Sequence, residues 1–242
     1  MKQFTFICLT FLSISASAQQ SEGVVYYNQK IDMYRRMATQ SAEIKAMIPQ
    51  FKNNLMMMSF TAAQSLYKPV PKEPEDEPEQ TPGITIKIQT PQNEVYKNFF
   101  VAQKIDLKEF FGKKFLIEDS LRQIPWKLTG ESKKILGYDC MKATFVNVQK
   151  QNVVGWFAEN ILSPSGPDAF GGLPGLLLEI DLNDSESIFT ATKIELRKLA
   201  DGEMKIPSGG KKATPAEYKK IVDDRMKEMG GSNGSSMRII RN

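Results

Sequence analysis

Histidine is absent from all 242 residues. That removes Ser-His-Asp and Cys-His nucleophile systems, His-based zinc sites and the usual general base at physiological pH. Cysteine is nearly absent: Cys8 lies in the N-terminal apolar stretch, and Cys140 is the other. If the N-terminal stretch is removed, no intramolecular disulfide can form, and Cys140 reads as a small buried hydrophobe. Beyond the N-terminus there is no run of eighteen apolar residues, so no transmembrane segment is expected. A strong charge bias is lacking as well. The formal net charge of +4 falls to +3 without Lys2, and Lys and Arg are scattered among acids, which argues against nucleic acid as a partner.

Residues 1–18 have the pattern of a secretory signal peptide. Lys2 supplies the positive start, Phe4 to Ile14 the apolar core and Ala16-Ser17-Ala18 the small-residue cleavage site. The expected location is therefore outside the cytoplasm, periplasmic or secreted. Residues 19–229 then form one β-rich domain, interrupted by an acidic, proline-rich insertion over 68–82 and followed by a Gly/Ser-rich tail over 230–242.

Within the domain, Gly23 to Met33 alternates as a strand, with Val25, Tyr27, Ile31 and Met33 on one face. Tyr34 to Phe51 reads as helical, with Met37, Ile44, Met47, Ile48 and Phe51 spaced for one stripe and Pro49 near its end. Leu55 to Phe60 reads as a buried strand. Short β candidates follow at Ile84–Ile88, Val95–Val101, Phe115–Ile117, Ile124–Leu128, Tyr138–Val148, Val153–Ala158, Leu176–Leu182 and Ser187–Leu199, with turns at Leu136-Gly137 and Asn183-Asp184. No strand–helix–strand rhythm with a phosphate loop appears. A final amphipathic helix runs from Thr214, a suitable N-cap before Pro215, to Met229. The fold class this pattern predicts is α+β, β-dominated: an antiparallel meander forming a curved sheet or half-barrel, with one or two helices packed on it.

The most unusual stretch is Gly166-Pro167-Asp168-Ala169-Phe170-Gly171-Gly172-Leu173-Pro174-Gly175-Leu176-Leu177. Its glycines reach positive φ and Pro174 pushes Leu173 towards an extended conformation. So apolar a turn is expected to be wedged against something, since loops avoid burying unpaired backbone groups. Together with Lys133 to Phe145, Trp156 to Ile161 and the strand entering the domain, this stretch resembles the GLPGLI family of Bacteroidetes secreted proteins, with Leu177 where the name-giving motif has isoleucine. The resemblance implies export and a β-rich fold like, by analogy, the half-barrels of lipoprotein carriers such as LolA. It supplies no catalytic residues.

On this reading the chain is a non-enzymatic cell-envelope protein, binding a lipid-like apolar ligand or another envelope protein through its curved sheet, and no cofactor is implied. Candidate groove residues are Trp126, Tyr138, Trp156, Phe170, Gly171, Gly172, Leu173, Pro174, Gly175 and Leu176, because large aromatics beside an apolar turn can line a pocket. Two alternatives stay open. The carboxylates Asp119, Glu131, Asp139, Glu159, Glu179 and Asp181 could include an acid–base pair of a hydrolase. Met33, Met37, Met56 and Met58 offer thioethers to Cu(I), although methionine is also the usual filler of irregular cores. One substitution separates groove from core: Leu173→Asp should spare the fold only if that leucine faces an open groove, whereas Gly172→Val should damage it either way, both read as a shift in the thermal midpoint.

Overall fold

The computed structural model describes residues 21–37, 41–71 and 92–228. The expected signal peptide, the Ile84–Ile88 strand, most of the acidic insertion and the Gly/Ser-rich tail lie outside those residues. Lys68 and Pro69, assigned above to the insertion, instead end a strand.

Twelve strands form one curved sheet that does not close. In chain order they are β1 (Gly23–Asp32), β2 (Phe51–Phe60), β3 (Gln64–Pro69), β4 (Glu94–Asn98), β5 (Gln103–Phe110), β6 (Lys113–Ser120), β7 (Lys127–Ile135), β8 (Tyr138–Val146), β9 (Asn152–Ala158), β10 (Leu176–Leu182), β11 (Ser187–Leu196) and β12 (Lys211–Ala213). Helices α1 (Met33–Arg36), α2 (Ala42–Ala46) and α3 (Pro215–Glu228) complete the set. The spatial order is β12-β6-β5-β4-β3-β2-β1-β11-β10-β9-β8-β7, so two meanders, β1–β6 and β7–β11, join where β1 pairs with β11. Every pairing is antiparallel except that of β12 with β6. The β-dominated α+β curved sheet read from the sequence is the observed architecture.

The single helix expected over Tyr34–Phe51 is replaced by two short ones. Pairing of β1 with β2 continues to Asp32↔Phe51, so the sheet claims Phe51 and only α1 and α2 remain between the strands. Asp32 caps α1 by accepting from the backbone N–H groups of Tyr34 and Arg35. The expected stripe breaks up accordingly: Met37 and Ile48 join Ile31 and Met33 in a small cluster, while Met47 and Phe51 are exposed. At the far end, Thr214 and Glu217 cap α3 reciprocally, Thr214 Oγ1 accepting from Glu217 N at 3.2 Å and Glu217 Oε2 from Thr214 N at 2.8 Å.

Alternation sorts the strands into two faces. The inner face carries the main core, including Val25, Tyr27, Met58, Phe60, Tyr67, Val95, Phe157 and Phe189. On the outer face of the first meander, Leu66, Tyr96, Ile105, Leu107 and Leu116 are buried beneath the segment after β11, where Met204 packs against them. That segment is clamped by Arg197, which donates to both oxygens of Glu203 at 2.7 Å.

One hydrogen bond ties the two meanders together through the core: the buried Tyr27 hydroxyl on β1 donates to Leu177 O on β10 at 2.6 Å. Burial pushes the Tyr27 hydroxyl far up in pKa, so it stays a donor at every pH at which the fold persists. Tyr27→Phe is expected to cost about 1–3 kcal/mol by orphaning that carbonyl, seen as a lower urea midpoint with an unchanged m-value.

Candidate functional site

Between β9 and β10 the chain crosses the inner face as the loop over residues 159–175, and its centre is held by one side chain. Lys97 on β4 is fully buried, and its Nζ donates to the carbonyl oxygens of Gly166 at 2.7 Å, Asp168 at 2.9 Å and Phe170 at 2.5 Å. An ammonium has three protons to give, and here each finds a carbonyl. Trp126 Nε1 adds a bond to Gly171 O at 2.9 Å, and Ser163 Oγ ties the loop start to Thr61 O at 2.7 Å. The loop also bonds to itself, Gly172 N to Pro164 O at 2.8 Å and Leu177 N to Ser165 O at 3.0 Å. Its backbone is thereby satisfied internally, which lets an apolar turn be buried.

Close approach explains two of the motif's glycines. A Cβ on Gly166 would lie 2.6 Å from Leu177 Cδ1, and one on Gly175 would lie 2.3 Å from Ala158 O. Gly172 has open space but φ +84°, so there the requirement is conformational. Leu173 is 4% exposed and Leu176 is fully buried, both within the main core, while Gly172 and Pro174 face out. Leu173 therefore fills the inner face. Around it, Trp126 packs edge-on to Phe145, and Phe170 edge-on to both Phe145 and Phe189.

Trp156 and Tyr138 do not join that group. Cross-strand register places Trp156 beside Lys142 on one side and Glu179 on the other, on the outer face, and Tyr138 shares the β8 alternation of Lys142. Lys133 Nζ sits 4.4 Å from the Trp156 ring centroid and pairs with Glu179 at 2.7 Å; Lys142 Nζ is 5.8 Å from that ring and 2.9 Å from each Glu131 oxygen. The Lys142 ammonium holds the Glu131 carboxyl below the usual carboxylate range. The result is an aromatic ring set in a ladder of two ammonium and two carboxylate groups.

The remaining candidates are dispersed. Asp139 pairs with Lys134, and Asp181 accepts from Ser185 N. Met33 and Met37 lie in the small cluster under α1, whereas Met56 and Met58 lie in the main core, all four buried among apolar side chains. Cys140 is buried and free, its thiol pushed up to about 11 by burial. Among the described residues, no three His, Cys, Asp or Glu side chains gather as metal ligands, and no helix is long and apolar enough to cross a membrane. An open hollow of about 630 Å³ lies away from the motif, along Val101 to Gln103 and Glu118 to Ser120.

A family model described as "N-glycanase peptide, N-terminal domain" matches residues 53–219, more than two thirds of the chain. The chain belongs to this family. The domain's fold is also found in two solved structures of PNGF-II, in space groups P21 and C2, at 15% and 16% identity with TM-scores of 0.56 and 0.55. Each match covers 83% of this chain but only 33% and 32% of PNGF-II, so this chain spans about a third of the length of those proteins. No curated protein matches it in sequence. In this family member, the residues that organise the loop, Lys97 and Tyr27, carry no motif signal. A lysine within the apolar stretch Val95-Tyr96-Lys97 was the one available hint, since lysine is rarely fully buried.

Burial pulls the Lys97 ammonium down to about 7, against Asp168 and Asp106, which favour the charge, and with Lys104, which opposes it. The unfolded lysine titrates near 10.4, so between these values the unfolded chain binds more protons and stability rises with pH. From pH 7 to about 8.5, below the range where cysteine and tyrosine oppose the trend, wild type should gain up to about 2 kcal/mol relative to Lys97→Met, measured by paired denaturant titrations. At pH 7 Lys97→Met itself should cost about 3 kcal/mol, because three buried carbonyls lose their donor. Leu173→Asp should unfold the domain, read by loss of the cooperative thermal transition.

Proposed function

We propose that this protein is an exported, non-enzymatic recognition module of the cell envelope that holds a carbohydrate-bearing protein partner on its outer surface. The observation that carries this reading is the filled inner face. Leu173, Leu176 and Leu177 occupy, with Phe170 and Trp126, the space in which a lipid-like ligand would have to lie. Recognition is then left to surfaces such as the Trp156 ladder, where a partly exposed indole is flanked by charged groups suited to hydroxyl-rich ligands. Family membership supports the carbohydrate link through the N-glycanase in the family's name, and the short span relative to PNGF-II supports a module's role. The signal-like N-terminus and the GLPGLI-type motif support export, and the lack of histidine supports a non-catalytic role.

The test is calorimetric titration of the purified chain with an N-glycosylated peptide and its deglycosylated counterpart, run beside a glycan-release assay. Expected is binding of the glycosylated peptide alone, without release, weakened about tenfold or more by Trp156→Ala, a loss of about 1.4 kcal/mol. Release of glycan by wild type would instead establish the carboxylate-based hydrolase. Stoichiometric lipid extracted from the native protein would restore the apolar-ligand reading.

A further inference from the structure

The turn between β4 and β5 presents Phe100, 89% exposed, and Val101, 60% exposed, side by side. Isolated exposed apolar residues need no explanation, but a pair on a rigid support is different. This turn is rigid: Asn98 Oδ1 accepts from Phe100 N at 3.0 Å and Val101 N at 3.3 Å, and Phe99 N donates to Ala63 O at 2.8 Å. Leu121 N donates to Ala102 O at 2.7 Å, which brings the residues after β6 alongside. A preformed aromatic tip loses little conformational entropy on docking.

Directly beside the tip is the open hollow of about 630 Å³, lined by Val101, Ala102, Gln103, Glu118, Asp119 and Ser120. Exposed Arg122 stands next to it in the chain, beside the acids Glu118 and Asp119. Glu118 is 3.9 Å from Lys212, and Asp119 accepts from Ser120 N, so both acids keep capacity for a further cation. A protruding ring, a hollow, two acids and a guanidinium thus lie on a single patch. Such a patch is complementary to itself, as a two-fold interface requires.

We propose that this end of the sheet is a self-association surface, on which Phe100 of each copy seats in the hollow of a second copy while Arg122 faces the partner's acidic pair. The local charge disfavours an anionic membrane as occupant: acids border the tip, and Arg122 is the single base beside them. The proposal is independent of the carbohydrate reading, since it uses the opposite meander from Trp156.

Sedimentation equilibrium over about 1–500 μM, the range expected of a small interface, should show a concentration-dependent dimer. Phe100→Asp should be monomeric throughout with an unchanged melting temperature, because the ring is almost wholly exposed in the single chain. Arg122→Glu should weaken association at least about tenfold, roughly 1.4 kcal/mol. Val101→Cys should cross-link to itself on mild oxidation, with buried Cys140 silent. A wild type that stays monomeric at the highest concentration overturns the proposal, as does a dimer indifferent to Phe100→Asp. Phe100-dependent binding of monomers to phosphatidylglycerol-containing vesicles would assign the tip to a membrane and overturn it equally.

Discussion

Three carbonyl oxygens of the motif loop converge on one ammonium, and most of the fold's inner face depends on that convergence. A loop of such apolar composition gains by burying its leucines, but it must bring its peptide groups with them, and each would cost several kcal/mol in an apolar setting without a partner. Lys97 resolves the conflict by reaching across from β4, on the other meander, so the loop is anchored to the half of the sheet it does not belong to. Tyr27 makes the complementary tie at the loop's exit. Both are long-range contacts, so the loop's conformation is a property of the whole sheet and not of its own sequence.

The sheet itself follows from ordinary alternation, adjusted at one point. Between Leu177 and Glu179 the register of β10 against β9 shifts. Before the shift, leucines occupy successive buried positions. After it, Glu179 takes the place beside Trp156 that completes the outer ladder. A single irregularity therefore lets one strand serve a dry interior at its start and a charged surface along its length.

Much of this architecture was legible in the residues, and the failures have physical causes. The β-dominated meander, the turns at Leu136-Gly137 and Asn183-Asp184, and α3 with its Thr214 cap were visible because period and turn chemistry agree there. β5 was missed because Lys104, Asp106 and Lys108 face the inner side while Ile105 and Leu107 are buried on the outer side, which inverts the usual cue. β7 was mostly missed because an edge strand of lysines and polar residues resembles a loop. The helix over Tyr34–Phe51 was overextended because a helical stripe was read where tertiary pairing extends β2. At the candidate site, the motif announced a wedged turn, but a partner 69 residues away could not be inferred from spacing. Nor could the aromatics be divided between faces before the register of β8, β9 and β10 was known.

The junction of β1 with β11 has a consequence for how the chain is made. The strand at the start of the domain is flanked on one side by a neighbour more than 150 residues downstream, Tyr27 lying opposite Ala191. Such a contact closes late, and topologies rich in distant pairs fold slowly. During synthesis the first meander lacks both its β11 neighbour and the loop that satisfies Lys97, so it cannot reach its final packing until nearly the whole domain has emerged. For a polypeptide that begins with an export-like leader, this arrangement delays compaction by geometry alone, keeping the chain threadable for as long as it is still being delivered.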